Sequence, residues 1–257
     1  MRLFLFIFIL SFSSWAQNDS QPIVVEGMDK YDLGKNQFDM MTVNDNPFYG
    51  FLFVDRLEER FKSDDDSLLW DTVGRFGNQY HRIFIESEGV YNTSKGNTED
   101  SRNEFLYGYS YAPFWDIQTG YRRDFFSKKN DRDFGVISVL GLAPFDFEVD
   151  AAAYVSTKGD ISTLLEFEYS FLLTQRTQLI PRLEIDASIQ EVKEYNIGSG
   201  LNGFEAGLRL SHQFVREFAP YIGISWARKT FGTKDLVEDA GEDSSAGLLV
   251  VGARVII

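Results

Sequence analysis

The residues best equipped for chemistry fall into two groups of different hardness. The first is three methionines, Met28, Met40 and Met41, set beside Asp29 and Asp39 near the start of the chain. Thioethers are soft donors suited to Cu(I), imidazole suits Cu(II) and Zn(II), and carboxylates alone suit harder ions. Met28, Met40 and Met41 with Asp29 and Asp39 could form a weak, mobile Cu(I) site; by spacing alone, ordinary residues of a plug or an irregular arm are the better fit. The chain holds two histidines, His81 and His212, and no cysteine, so thiolate sites and disulfides are excluded. The second group is a series of carboxylates that recur at alternate positions. Asp116, Glu148, Asp150, Glu166, Glu168, Glu184 and Asp186 all obey a period of two. A surface lined by such carboxylates attracts cations.

Only strands place alternate residues on one face. The clearest are found between Leu140 and Ile189. Glu148, Asp150, Tyr154 and Ser156 oppose Val149, Ala151, Ala153 and Val155; after a polar break, Leu165, Phe167 and Tyr169 oppose Glu166, Glu168 and Ser170. Beyond the turn Thr174–Thr177, Leu183, Ile185 and Ala187 oppose Arg182, Glu184 and Asp186. These segments approach the ~9–11 residues that a tilted strand needs to cross hydrocarbon.

The front of the chain points to export. Met1–Ala16 has Arg2, an apolar run Leu3–Leu10 and Ser14-Trp15-Ala16 before Gln17, the pattern of a cleaved secretory signal peptide. No later stretch approaches ~20 apolar residues, so a second encounter with a membrane requires a closed barrel. The charge of −14, from 39 acidic and 25 basic residues, argues against nucleic acid and towards cations. Aromatics are abundant, with 24 Phe, 12 Tyr and 4 Trp, as expected where rings gather at membrane interfaces.

These features predict an all-β protein: a transmembrane antiparallel up-and-down barrel of about 12 strands, residues 47–257, after a signal peptide (1–16) and a short irregular periplasmic arm or partial plug (17–46). Strands are expected near 48–61, 68–77, 80–92, 104–113, 115–127, 133–145, 147–157, 160–173, 177–190, 203–215, 219–232 and 246–257. Long polar connections, such as 93–103, 191–203 and 233–245, face outside, and short turns face the periplasm. Ala-Pro-aromatic recurs at 112–114, 143–145 and 219–221, which reads as one turn design reused. The alternation sends Asp71, Glu86, Glu88, Asp124 and Glu205 inward with the seven carboxylates above. Arg75, Arg82, Arg122, Arg182 and Arg209 face the same lumen, too few to pair every acid. His81 and His212 share parity with Ile83 and Leu210, which places them on the outer wall; ligation by either would require a broken pleat. Ser211 and His212 have opposite parity, and neither His81 nor His212 opens the His-x-Ser-Asn-Gly pattern of the outer-membrane phospholipase, so no enzymatic activity is expected.

Several motifs carry a resemblance. Gly141-Leu142-Ala143-Pro144-Phe145-Asp146-Phe147-Glu148-Val149-Asp150, Leu172-Leu173-Thr174-Gln175-Arg176, Pro181-Arg182-Leu183-Glu184, Gly198-Ser199-Gly200-Leu201 and Arg216-Glu217-Phe218-Ala219-Pro220-Tyr221-Ile222-Gly223 resemble the copper resistance protein B family of outer-membrane barrels. Asn46-Pro47-Phe48, Asp55-Arg56-Leu57-Glu58, Ala112-Pro113-Phe114-Trp115-Asp116 and Ala240-Gly241-Glu242-Asp243 do so as well, so the likeness runs over about 46–257. It implies binding or transport of copper in homeostasis and resistance at the bacterial outer membrane, and Cu(I) rather than Cu(II) held weakly at the methionines. A non-specific cation pore is the alternative. Outer-membrane lipid, a periplasmic copper-binding protein and a monomeric state are the implied partners and assembly. The family's arm is usually rich in methionine and histidine; this arm has no histidine.

Overall fold

The computed structural model describes residues 46–62, 65–127 and 129–257. The signal segment, the arm to Asp45 and its Met28, Asp29, Asp39, Met40 and Met41 lie outside the described residues. Asn46–Ile257 forms one unit.

Twelve antiparallel strands close on themselves. They are β1 (Tyr49–Phe61), β2 (Ser67–Gly77), β3 (His81–Asn92), β4 (Asn97–Ala112), β5 (Trp115–Phe126), β6 (Arg132–Ala143), β7 (Phe147–Ser156) and β8 (Ile161–Glu168, continued by Phe171–Leu172). There follow β9 (Thr177–Ser188), β10 (Gly200–His212), β11 (Phe218–Lys229) and β12 (Ser245–Ile256), with a helix α1 (Phe231–Asp239) ahead of β12. Each strand pairs with its sequence neighbour, and β12 returns to β1 from Phe53 opposite Ile256 to Phe61 opposite Leu249. Closure leaves no edge, which is what a strand structure in lipid requires. Among the described residues no helix is long and apolar enough to cross a membrane.

Alternation explains the wall. Ile83, Ile85, Phe105, Tyr107, Ile117, Leu208, Leu210, Ile222, Ile224, Leu249 and Val251 are exposed on the outside, while their neighbours Phe84, Leu106, Gln118, Arg209 and Val250 are buried within. An apolar outer band around a polar interior places the barrel in the bacterial outer membrane.

Three local expectations need correction. The stretch 93–103 is mostly strand, because β4 runs up to Asn97 and leaves the turn 93–96. Its polar residues are exposed or half-buried on both faces, so it carries no apolar alternation to announce a strand. The 233–245 connection contains α1, with Thr233 and Val237 buried and Lys234 Nζ 3.7 Å from Glu238 one turn on. Ala219-Pro220-Tyr221 is not a turn: the chain reverses at 213–217, and these residues lie in β11, with Tyr221 turned into the lumen at 4% exposure. The other two copies do turn, with Phe114 and Phe145 at positive φ and 76% and 87% exposed, as interfacial anchors.

The strand predicted over 160–173 is interrupted at Tyr169-Ser170. Pro181 of β9 lies beside Tyr169, and Tyr169 N donates to its carbonyl at 3.2 Å. Proline has no N–H to return, so the ladder opens there and resumes at Phe171 opposite Leu179.

Candidate functional site: the carboxylate-lined lumen

The central feature of the interior is a row of acids that the register produces directly. Asp150 of β7 stands opposite Glu166 of β8, Glu166 opposite Glu184 of β9, and Glu184 opposite Glu205 of β10. In the other direction Asp150 faces Leu140 of β6, which faces Asp116 of β5. Like charges set opposite one another on neighbouring strands repel. Because strands in a barrel tilt by about 35–45°, a row perpendicular to them climbs along the axis. Asp116 lies near the turn end of β5 and Glu205 midway along β10, so the acids form a ramp from the short-turn end to the middle of the wall.

Arginines cross the lumen to hold the row. Arg182 of β9 pairs with Glu166, lies 3.4 Å from Asp55 of β1 and 3.8 Å from Asp71 of β2, and has Glu184 at 3.7 Å. Arg56 reaches Asp71 at 2.9 Å and Glu88 at 2.7 Å; Arg102 pairs with Glu88 and lies 3.6 Å from Glu104 and 3.8 Å from Glu166. Arg254 links Asp55 at 3.0 Å with Glu168 at 2.6 Å. These four guanidiniums join seven carboxylates into one network, which keeps a formal excess of negative charge.

A second cluster, on β1, β10 and β11, is balanced. Glu58, fully buried, accepts from Arg60 Nε at 2.8 Å, Arg209 Nε at 3.0 Å and the Tyr221 hydroxyl at 3.0 Å. Arg60 also reaches Glu205 at 3.0 Å. Space for this cluster comes from Gly252: a Cβ there would stand 2.6 Å from Leu57 O and 2.7 Å from Tyr221 Oη.

The seven carboxylates singled out from sequence thus have unequal partners. Asp116 is bound by Arg82, Glu166 by Arg182 and Glu168 by Arg254. Glu184 has its cation at 3.7 Å. Among the described residues no ion pair reaches Glu148, Asp150 or Asp186, and Asp150 Oδ1 is buried without a hydrogen-bond partner. Of the other predicted acids, Asp124 is held by Arg122, and Glu86 stands opposite Glu104 with no ion-pair partner among the described residues.

The expected shortage of guanidiniums is overstated. The lumen adds four carboxylates, Asp55, Glu58, Glu104 and Asp160, but five guanidiniums, Arg56, Arg60, Arg102, Arg132 and Arg254. A β-bulge in β1 is the main cause: Val54 faces Thr72, yet Arg56 already faces Asp71, so Asp55 is the extra residue. Phe51, Phe53 and Asp55 point inward before it, and Arg56, Glu58 and Arg60 after it. The sequence signal is the meeting of two out-of-phase alternations at Asp55-Arg56.

Two cavities lie in the lumen among the described residues. The central one, about 360 Å³, is lined by Asp150, Glu86, Glu104 and Glu166 on the acidic side and Phe51, Phe84 and Leu106 on the apolar side. The other, about 350 Å³, opens at the short-turn end between Arg82, Asp116, Phe114 and Leu142.

The histidines are elsewhere. His81 Nδ1 lies 2.6 Å from the Tyr107 hydroxyl and the ring stacks on Tyr107; His212 Nδ1 lies 2.9 Å from Thr177 Oγ1. Both rings are on the outer wall, on strands that are not neighbours. Among the described residues no group of three or more His, Cys, Asp or Glu has a metal-holding arrangement. Ser211 is buried on the lumen side while His212 faces out, so the two are not a nucleophile and base.

At the loop end, residues 189–199 fold over the mouth. Tyr195 packs on Phe126 at 5.3 Å and under Arg132 at 4.5 Å, and its hydroxyl donates to Asn130 O at 3.1 Å. Glu194 accepts from Lys158 Nζ at 3.0 Å and Asn130 Nδ2 at 3.2 Å. Those two donors hold the Glu194 carboxyl below its ordinary range, and the same contact raises Lys158. A depressed acid contributes above its unfolded pKa and loses that contribution as pH falls through the folded value; a raised lysine loses its share only as pH climbs past its own. The latch is therefore complete between about pH 4.3 and 10.4. We expect proteolytic nicking within 189–199 to rise below that window and in high salt, since the pair is exposed; nicking independent of pH would contradict the latch.

Comparison with known proteins agrees with this architecture. A family model described as "Copper resistance protein B precursor (CopB)" matches residues 48–256. "Copper resistance protein B" of Escherichia coli is 32% identical over 213 residues, covering 83% of this chain and 71% of that protein. "Copper resistance protein B homolog" of Pseudomonas syringae pv. tomato is likewise 32% identical over 213 residues, with the same coverage. Among solved structures, the NanC porin superposes with a TM-score of 0.53 at 15% identity, over 79% of this chain and 98% of that one, a likeness of fold.

Proposed function

Because this chain belongs to the copper resistance protein B family, we propose that its part in copper resistance is to bind copper ions transiently and pass them through the barrel. The observation that carries this is the cross-strand row Asp150, Glu166, Glu184 and Glu205, an acid ramp that its arginines only partly neutralise. Such a lining concentrates cations and, holding each one weakly, lets it leave.

The donor sets divide the labour by hardness. From Asn46 onward the sequence has no methionine or cysteine, and its two imidazoles face outward, so the lumen offers oxygen donors alone, which suit hard ions and hold the borderline Cu(II) only weakly. Met28, Met40 and Met41, with Asp29 and Asp39, supply the soft donors for Cu(I). In this reading selectivity belongs to the arm and conduction to the barrel, and a periplasmic copper-binding protein exchanges ions at the short-turn end. His81 and His212 serve as interfacial side chains. The role is one of binding and passage rather than catalysis.

The oxygen-only lumen also favours a second reading, a cation pore without metal preference. A competition titration separates the two. The mature protein in detergent should bind Cu(I), and both deletion of residues 17–45 and Met28/Met40/Met41→Leu should abolish this while leaving Cu(II) binding intact. Equal Cu(I) binding by all three proteins would refute the methionine assignment. Absence of Cu(I) binding in the intact protein, with Cu(II) and zinc bound alike, would favour the unselective pore.

A further inference from the structure

The two lumen cavities share three side chains: Arg75 of β2, Leu140 of β6 and Glu148 of β7. In a twelve-stranded closed order, β2 and β7 are separated by four strands on one side and six on the other, so their walls nearly face each other. Arg75 lies near the short-turn end of β2, and Glu148 is the second residue of β7 after its short turn. The shared residues therefore mark the passage from the periplasmic cavity to the central one.

Arg75 differs from the other lumen arginines. Arg56, Arg60, Arg82, Arg102, Arg122, Arg132, Arg182, Arg209 and Arg254 each pair with a carboxylate; among the described residues none pairs with Arg75, and its Nε is buried without a partner. Aromatic faces hold it instead, with its guanidinium 5.7 Å from the rings of Phe51 and Phe84 and 6.0 Å from Tyr49. Ring quadrupoles stabilise a cation without cancelling its charge. Glu148 likewise has no ion-pair partner among the described residues, and its cross-strand neighbour is another acid, Glu168. Unneutralised positive charge thus stands on one wall of the passage and unneutralised negative charge on the other.

We infer that Arg75 and Glu148 form a charge-selecting neck between the periplasmic cavity and the acid ramp, Arg75 opposing cations and Glu148 drawing them through. This rests on the reading that ions traverse the lumen. The neck sets the net preference at a level where, among the described residues, neither Arg75 nor Glu148 is spent on an ion-pair partner. Leu140, on the strand beside Glu148, narrows the same level with an apolar side chain.

The test is ion selectivity in planar bilayers under a KCl gradient, read as reversal potential, for the full-length mature protein and three variants. Arg75→Gln should raise the cation-over-anion permeability ratio by roughly three- to tenfold, the size expected for one charge several ångströms from the ion path. Glu148→Gln should lower it by a similar factor, and Arg75→Lys should keep the wild-type value, which separates charge from packing. Unchanged ratios in Arg75→Gln and Glu148→Gln, or shifts of the same sign in both, would overturn the neck, as would the absence of current through folded wild-type protein. Copper titration on the same preparations separates the two ideas. Copper binding without current refutes the neck but not the binding role; selectivity shifts without copper binding do the reverse.

Discussion

Glu58→Ala is expected to destabilise the barrel by about 3–5 kcal/mol, the cost of leaving buried charge uncompensated. Glu58 is completely enclosed and is the shared acceptor of Arg60, Arg209 and Tyr221. Removing it leaves Arg209, itself buried, without a counter-ion, while Arg60 keeps Glu205 at 3.0 Å. The neighbouring backbone cannot close over the gap, because Gly223 and Gly252 already lie against Arg209 and Tyr221. Glu58→Gln should cost less, since the amide oxygen still accepts. A urea titration of the folded protein in detergent, followed by the mobility difference between folded and unfolded barrel on a gel, measures this. An unchanged midpoint in Glu58→Ala would show that the cluster contributes nothing.

The second large effect concerns the ramp. Asp150→Asn, Glu166→Gln and Glu184→Gln together should reduce copper passage at least tenfold. In a water-like medium a unit charge roughly 6 Å away stabilises a divalent ion by about 1.4 kcal/mol, or about tenfold in occupancy. Three such charges do not add fully, because Arg182 already shares Glu166 and Glu184 and salt screens the lumen. The arginine is not stranded by the change, since Asp55 and Asp71 remain at 3.4 and 3.8 Å. Folding should therefore survive while the field along the row is lost.

The barrel was legible in the sequence because its outer wall is repetitive. Ile83 with Ile85, Leu208 with Leu210 and Leu249 with Val251 each declare a lipid-facing side, and the opposite side follows by parity. The inward direction of Asp150, Glu166 and Glu184 came from the same rule. Their standing in one row did not, because that depends on register, which is fixed by turn lengths and by the ladder break at Pro181. The bulge at Asp55 reverses parity within β1 and hid Arg56, Glu58 and Arg60. Arg254 follows parity on β12 but is surrounded in sequence by Gly252, Ala253 and Val255, so its place among the lumen charges is not announced locally. Tyr221 shows the limit of motif reading: the same Ala-Pro-aromatic triplet turns the chain twice and, two residues beyond a longer turn, becomes strand. Pairing across the lumen, as between Arg182 and Asp71, joins residues over a hundred positions apart and has no local signal.

The most direct test of the claim that lumen carboxylates carry copper is entry of Cu(II) into vesicles containing the mature protein and a trapped fluorescent chelator, compared with the Asp150→Asn/Glu166→Gln/Glu184→Gln protein after both are shown to be folded. A fall in the initial rate of about tenfold or more is predicted; equal rates would contradict the account and place copper's route outside the ramp.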